Sequence, residues 1–147
     1  MAEPFCIRQT GNPRVISFPE DGTNETFKQG DLVTLTTSGT VTIGAATKVI
    51  GIALRDATGV DLASIPVDMI SPNDIFSVIG ADGETAAQTM VGDERTFTFT
   101  AGAQRLSTTG TDCVVVAMDP RSFSSGAGVA GGRMLIRFEA NMVDVPT

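Results

Sequence analysis

The sequence contains no histidine, no tryptophan and no tyrosine, although it has eight phenylalanines. Histidine is the commonest general base and transition-metal ligand in proteins, and it is the usual side chain that titrates near neutral pH. Without histidine, one copy of the chain cannot assemble a Ser-His-Asp or Cys-His catalytic device. We therefore expect that the protein is not an enzyme and has no catalytic residues, no metal site and no cofactor.

Basic residues are also scarce. Ten Lys and Arg stand against 17 Asp and Glu, which gives a formal net charge of −7 and a pI near 4.4. Such a surface repels phosphate backbones, and no Lys/Arg cluster reverses the charge locally, so we expect no nucleic-acid partner. No basic amphipathic segment and no long apolar run indicates a membrane partner. Residues 1–4 lack the features of a signal peptide, so we expect synthesis in the cytoplasm.

The two cysteines, Cys6 and Cys113, lie far apart in the sequence and form no CxxC motif. Cys113 begins the apolar run Cys113-Val114-Val115-Val116-Ala117, which is typical of a buried strand. The sequence favours buried free thiols, although it leaves a disulfide between them open.

The 147 residues correspond to one domain, and a high content of threonine and glycine favours strands and turns. The segments with alternating or continuous apolar residues are 27–37, 40–43, 49–54, 65–70, 75–79, 95–100, 114–118 and 133–143. The first two read as a hairpin around Ser38-Gly39. No alternation of strands with helices appears, so the sequence predicts an all-β fold, a small single-domain β-barrel or sandwich of about seven to nine strands.

Several positions carry local predictions. Gly51, inside an apolar run, indicates a bulge or a close backbone approach, and Pro66 indicates an edge strand or a bulge. Residues 55–62 are predicted to be a polar loop around Thr58-Gly59, and residues 81–91 fit a short helix or a 3₁₀ turn. In the last strand, alternation predicts core-facing side chains at Met134, Ile136, Phe138 and Ala140, and outward-facing ones at Arg133, Arg137 and Glu139.

Residues 1–24 differ from the β-domain predicted for residues 25–147, because three prolines and charged turns interrupt their apolar residues. An extended arm that docks on a partner is one interpretation, and an N-terminal strand folded onto its own barrel is the other. If the segment is an arm, its large apolar side chains should be exposed for contact. These are Phe5, Ile7, Val15, Ile16 and Phe18.

Three further patterns are interpreted as ordinary structure. Residues 126–132 contain G-x-G-x-x-G, but a serine-rich loop precedes them and a strand follows, so a dinucleotide site is not expected. Thr96, Thr98 and Thr100 are predicted to form a solvated strand face. Acidic residues near turns match no calcium-loop spacing, and we interpret them as turn-forming groups. They are Asp56, Asp61, Asp68, Asp74, Asp82 and Glu84.

One part of the chain resembles a known family. Its motifs are Phe27-Lys28-Gln29-Gly30-Asp31-Leu32-Val33-Thr34-Leu35, Val41-Thr42-Ile43-Gly44, Val49-Ile50-Gly51-Ile52-Ala53-Leu54-Arg55-Asp56-Ala57 and Ile65-Pro66-Val67. Over about residues 25–80, this order resembles the small decoration (cement) proteins of tailed-bacteriophage heads.

The resemblance implies a β-barrel virion protein, often a homotrimer, that binds the major capsid protein and stabilises the outer surface of an expanded icosahedral capsid. Family members often contact the shell through an N-terminal arm, so the five apolar side chains of residues 1–24 become candidates for capsid contact. The alternative is a small carbohydrate- or ligand-binding β-barrel, such as a fibre-associated or adhesin-like module. The lack of Trp and Tyr argues against it, because sugar rings usually stack on those side chains.

Overall fold

A computed structural model describes residues 4–44, 48–81, 87–100, 104–119 and 132–143. Within these ranges the chain forms twelve strands and two short 3₁₀ turns, Gln88–Met90 and Ala140–Met142. The strands are β1 (Cys6–Arg8), β2 (Val15–Pro19), β3 (Leu32–Leu35), β4 (Val41–Ile43), β5 (Gly51–Ala53), β6 (Ser64–Met69), β7 (Phe76–Ile79), β8 (Glu94–Arg95), β9 (Phe97–Thr98), β10 (Arg105–Leu106), β11 (Cys113–Met118) and β12 (Arg133–Phe138).

The strands form two five-stranded antiparallel sheets and one small hairpin. Sheet 1 has the order β1-β7-β12-β11-β8, sheet 2 has the order β2-β6-β5-β3-β4, and β9 pairs with β10. A parallel bridge between Glu20 and Val41 links the two edges of sheet 2 just beyond β2. The predicted all-β class is confirmed. The strands outnumber the predicted seven to nine, partly because segment 95–100 divides between two sheets and residues 4–24 contribute two strands.

The central strands of sheet 2 are covered on both faces. Leu32 and Ile52 of sheet 2 belong to the larger apolar cluster, which they share with Phe76, Ile136 and Phe138 of sheet 1. A second cluster lies on the other face of sheet 2. Its buried members are Phe27, Val33, Val41, Ile50, Ala53, Ile65, Val67 and Met69. Burial on both faces explains why segment 49–54 is apolar without alternation.

The predicted hairpin is confirmed, with Val33 opposite Ile43 and Leu35 opposite Val41. The predicted close approach at Gly51 is confirmed as well. A Cβ atom built on Gly51 would collide with the backbone carbonyl of Asp68 and the side chain of Val67 on β6. Glycine is therefore needed for β5 to pair with β6 at this point.

The prediction that Pro66 marks an edge strand is wrong, because β6 lies between β2 and β5. The N–H of Leu54 donates to the carbonyl of Pro66, so the backbone groups of Pro66 face the chain that follows β5. The ladder between β5 and β6 ends at Ala53 opposite Val67. The missing N–H of Pro66 thus falls just past the end of that ladder, where it costs little.

Two predictions for the last strand are also wrong. Arg133 is buried (6% exposed) and Ala140 is exposed. The guanidinium of Arg133 donates to Ser77 Oγ and to the carbonyls of Pro4 and Phe5, which satisfies a charged group that alternation alone would place outside. Ala140 follows the end of β12 in a 3₁₀ turn, where strand alternation no longer applies. Met134, Ile136 and Phe138 are buried and Arg137 is exposed, as predicted.

The first residues are part of the sheets. β1 pairs with β7 in sheet 1, and β2 pairs with β6 along its whole length in sheet 2. The interpretation of residues 1–24 as a separate arm is therefore wrong for residues 4–24, and the alternative of strands folded onto the chain's own domain is correct there. The predicted free thiols are confirmed: Cys6 and Cys113 are both buried and unpaired.

Some predictions lie outside the described residues, namely Asp82, Glu84 and nearly all of the glycine-rich loop at 126–132. Of segment 81–91, the described part contains the 3₁₀ turn Gln88–Met90, which matches one of the two predicted forms. Thr98 and Thr100 are exposed and Thr96 is half-buried, whereas Phe97, between Thr96 and Thr98, is buried, so exposure alternates along this segment as predicted. Among the described residues, no helix is long and apolar enough to cross a membrane.

Candidate protein–protein contact sites

The five predicted contact residues divide by exposure. Phe5 is only 2% exposed and packs edge-to-face on Phe97, with 6.0 Å between ring centroids, so the expectation that it is exposed is wrong. Ile7 and Phe18 are half-buried. Val15 and Ile16 are 52% and 49% exposed on β2, as a contact role requires. The structure therefore leaves two of the five side chains accessible for contact.

β2 is an edge strand with free backbone groups. Its even-numbered residues bond to β6, because the N–H of Glu20 donates to the carbonyl of Ala63 and the carbonyl of Arg14 accepts from Met69. The backbone groups of the odd-numbered residues therefore point away from β6. For Val15 and Ser17 they meet no partner within the described part of the chain.

A second exposed apolar group lies in the loop that leads into β6. We call residues 58–62 the 58–62 loop. It carries Val60 and Leu62, which at 59% and 62% are the most exposed large apolar side chains among the described residues. Sequence reasoning interpreted this segment as a polar loop. The signal that it missed is the pair of large apolar residues on either side of Asp61.

Glu20 anchors the 58–62 loop from inside the molecule. This residue is fully buried, and its carboxylate accepts hydrogen bonds of 2.8 Å from the N–H and hydroxyl of Thr58 and from the N–H of Gly59. Burial acts to raise the pKa of Glu20. The hydrogen bonds from Thr58 and Gly59, with the charge of Arg55 nearby, outweigh burial and hold that pKa below its ordinary value. The anchor is therefore an ionised carboxylate at neutral pH.

The end of the loop is a tight turn with an unusual residue in it. The N–H of Ala63 donates to the carbonyl of Val60 at 3.2 Å, and Leu62 inside this turn has φ of 63°. A bulky side chain rarely adopts the left-handed region, which glycine or asparagine normally fills. Two bonds fix the turn: Leu62 N–H donates to the carbonyl of Glu20, and Asp61 accepts from Gly22 N–H.

The acidic residues near turns have partners inside the chain. Asp68 and Asp74 both accept hydrogen bonds from the guanidinium of Arg8. Asp56 accepts from the N–H of Gln29, and Asp61 accepts as described above. Within the ranges that the structure covers, no group of three or more His, Cys, Asp or Glu is arranged to hold a metal ion.

Both surfaces expose apolar side chains, and β2 also exposes backbone hydrogen-bonding groups. β2 offers backbone donors and acceptors beside Val15 and Ile16, and the 58–62 loop offers two apolar side chains on a fixed backbone. No protein-family model matches the chain, and no curated protein or solved structure matches it either.

Proposed function

We propose that the protein is a virion structural protein that decorates and stabilises the outer surface of an expanded icosahedral phage capsid, with the major capsid protein as its partner. The observation that carries the proposal is the 58–62 loop. Its side chains Val60 and Leu62 are exposed to solvent, and its backbone is fixed by hydrogen bonds to the buried carboxylate of Glu20. The resemblance of residues 25–80 to decoration proteins supplies the kind of partner. Virion location follows from the same proposal.

The loop is suited to docking because its shape is set before contact. The Glu20 carboxylate and the Gly22–Asp61 bond fix the backbone on both sides of Val60. A loop that is already ordered loses little conformational entropy when it binds. The left-handed backbone of Leu62 costs about 1–2 kcal/mol for a residue of this kind, and strain of this type is characteristic of functional positions.

A small contact is sufficient for this role. Burying one or two aliphatic side chains contributes roughly 1.5–3 kcal/mol each, which is weak for a single complex. On a shell with hundreds of equivalent positions, coupling between neighbouring copies strengthens the whole layer without a large individual interface. The homotrimer that the resemblance implies would supply such coupling, and it stays a prediction.

We assign the capsid contact to the 58–62 loop and not to Val15 and Ile16. The loop presents side chains from a convex turn, whereas β2 presents unpaired backbone groups along an edge. A convex apolar tip suits a pocket on a folded shell, while an open strand edge suits another strand. Of the five predicted contact residues, none is therefore retained for the capsid in this proposal.

The test is co-sedimentation of the purified protein with expanded, undecorated capsids built from the major capsid protein of the same phage. We expect saturable binding at micromolar concentration and an increase in the temperature at which the capsids open. Unexpanded shells serve as the control and should bind much less. Absence of binding to expanded capsids at micromolar concentration would overturn the proposal.

A further inference from the structure

We propose that β2 pairs with the β2 strand of a second copy of this chain, antiparallel and about a two-fold axis through Ile16. The pairing would join sheet 2 of the two copies along β2, on the part of its edge that precedes the Glu20–Val41 bridge. This inference does not depend on capsid binding, because it rests on the edge of β2 and not on the 58–62 loop.

The free groups of the edge define where a strand can bind. Val15 and Ser17 point one N–H and one carbonyl each away from β6. Pro13, two residues before Val15, and Pro19, two residues after Ser17, have the same parity but no N–H to offer. Both prolines lie three residues from Ile16. The edge is therefore symmetric about Ile16, and its donors are confined to the two residues between the prolines.

This symmetry selects one register. With the axis through Ile16, Val15 of each copy lies opposite Ser17 of the other, and the four N–H groups meet the four carbonyls in four hydrogen bonds. An axis through Val15 would put Ser17 opposite Pro13, and an axis through Ser17 would put Val15 opposite Pro19. Either shift still allows four hydrogen bonds, but two of them end on the carbonyl of Pro13 or Pro19, which has no N–H to donate in return. The register through Ile16 is the one in which every hydrogen-bonded pair joins two residues that both donate and accept.

The side chains agree with self-pairing. In that register Ile16 meets Ile16 of the second copy in a closely spaced, non-hydrogen-bonded pair, and each Arg14 lies opposite Phe18. An aliphatic pair and an arginine beside an aromatic ring are both favourable cross-strand neighbours. Although the whole chain carries 17 acidic residues, none lies between Gln9 and Pro19, so two negative surfaces are not forced together here.

The edge lacks the usual protection against such pairing. Edge strands are commonly blocked by an inward-pointing charge, a lysine or a central proline. β2 reads Val-Ile-Ser-Phe-Pro, with Val15 and Ile16 about half exposed and its one proline at the end. The contact is isologous and small, so we expect a weak dimer that forms as concentration rises.

Disulfide trapping tests the axis directly. Ile16→Cys puts two thiols opposite each other in the closely spaced pair, where a disulfide is geometrically allowed. Val15→Cys, one residue away, faces Ser17 of the second copy, and Val60→Cys lies in the 58–62 loop; both serve as controls. Cys6 and Cys113 are buried and should not interfere. Under mild oxidation we expect covalent dimer from Ile16→Cys at least about tenfold faster than from either control. Equal rates, or no dimer from Ile16→Cys, would overturn the proposal.

A second measurement tests the hydrogen bonds. Ser17→Pro removes an N–H that points away from β6, so the ladder within the chain stays intact, and Ser17→Ala keeps that N–H. By sedimentation equilibrium we expect wild type and Ser17→Ala to approach twice the mass of Ser17→Pro at the same high concentration. A mass that Ser17→Pro does not change would overturn the proposal. Capsid binding by a variant that no longer dimerises would leave the proposed function intact, so the two proposals fail separately.

Discussion

Arg8 connects the two five-stranded sheets through its guanidinium group. From β1 in sheet 1 it bonds to Asp68 of β6 in sheet 2, with both nitrogen–oxygen distances at 2.9 Å, and it also pairs with Asp74. The group lies 5.0 Å from the centre of the Phe76 ring. The hydrogen bond to Asp68, followed by that to Asp74, raises the pKa of Arg8 further against the opposing effect of burial. The side chains of Arg8 and Asp68 are largely buried, so water does not replace the charge of either residue when its partner is removed.

Arg8→Met should cost about 3–5 kcal/mol of unfolding free energy, because it leaves the carboxylate of Asp68 buried without its cation. The double variant Arg8→Met/Asp68→Asn should recover part of that loss, because the remaining amide is uncharged. Urea unfolding near neutral pH measures both. A loss below about 1 kcal/mol for Arg8→Met, the size typical of an exposed pair, would contradict this account of the cluster.

Glu20→Gln should weaken the anchor of the 58–62 loop in a pH-dependent way. Because the pKa of Glu20 is lowered in the folded state, its carboxylate stabilises the fold above the ordinary glutamate pKa, and this contribution is lost as pH falls through the folded-state pKa. Near neutral pH we expect the variant to be less stable than wild type by about 1–3 kcal/mol. The difference should shrink at strongly acidic pH.

Urea unfolding of Glu20→Gln and wild type over a pH series provides the measurement. Glu94→Gln is the control, because Glu94 is exposed on β8 and its substitution should leave stability unchanged at every pH. A stability difference for Glu20→Gln that stays constant across the acid range would show that the ionised carboxylate is not the source of the anchor.

At the scale of the strands, close backbone packing decides where sheet 2 tolerates a side chain. β5 is three residues long, and all three are buried because both faces of the strand are covered. Gly51 pairs with Met69 of β6 and lies against the backbone of Asp68. A backbone carbonyl inside a ladder cannot rotate away as a flexible side chain can, so this approach fixes the spacing of the two strands.

Gly51→Ala should therefore destabilise the protein by about 3 kcal/mol, the upper part of the range for overpacked cores. Gly39→Ala is the matched control: nothing lies within 4 Å of the added Cβ, and only the positive φ of 78° opposes it. We expect about 1 kcal/mol for that control. Thermal unfolding monitored by circular dichroism compares the two. Equal losses would contradict the claim that the contact with Asp68 is the reason for glycine at position 51.

The sequence predicted those elements whose pattern is local. Alternating apolar residues predicted the β3–β4 hairpin. A glycine inside an apolar run predicted the close approach at Gly51, and a continuous apolar run predicted the buried thiol of Cys113. Arg133 could not be predicted, because alternation does not distinguish an exposed arginine from a buried one whose partners, Ser77, Pro4 and Phe5, lie 56 or more residues away.

The 58–62 loop was missed for a similar reason. Its shape depends on Glu20, which is 38 residues from Thr58 in the sequence, and nothing near Glu20 indicates that its carboxylate is buried. Residues 4–24 were ambiguous because β1 and β2 join different sheets, and their prolines interrupt the alternation that would have identified them as strands. In each case the missing information is a contact between distant parts of the chain.

At the scale of the whole molecule, the described structure presents two exposed apolar features with different geometry. The edge of β2 exposes backbone groups and is the surface that we propose for a second copy, whereas the 58–62 loop exposes Val60 and Leu62 and is the surface that we propose for the capsid. A decoration layer needs both kinds of contact, one toward the shell and one between copies. The net charge of −7 is the basis of the expectation that nucleic acid is not a partner.

The most direct measurement of the central claim is capsid binding by Leu62→Asn. Asparagine accepts the left-handed backbone of position 62 more readily than leucine, so the variant should be as stable as wild type or slightly more stable. It removes an apolar side chain whose burial contributes roughly 1.5–3 kcal/mol, which corresponds to a loss of about tenfold or more in affinity for expanded capsids. Val91→Asn, which alters a less exposed apolar residue elsewhere, should bind as wild type does. Unchanged binding by a folded Leu62→Asn variant would contradict the account.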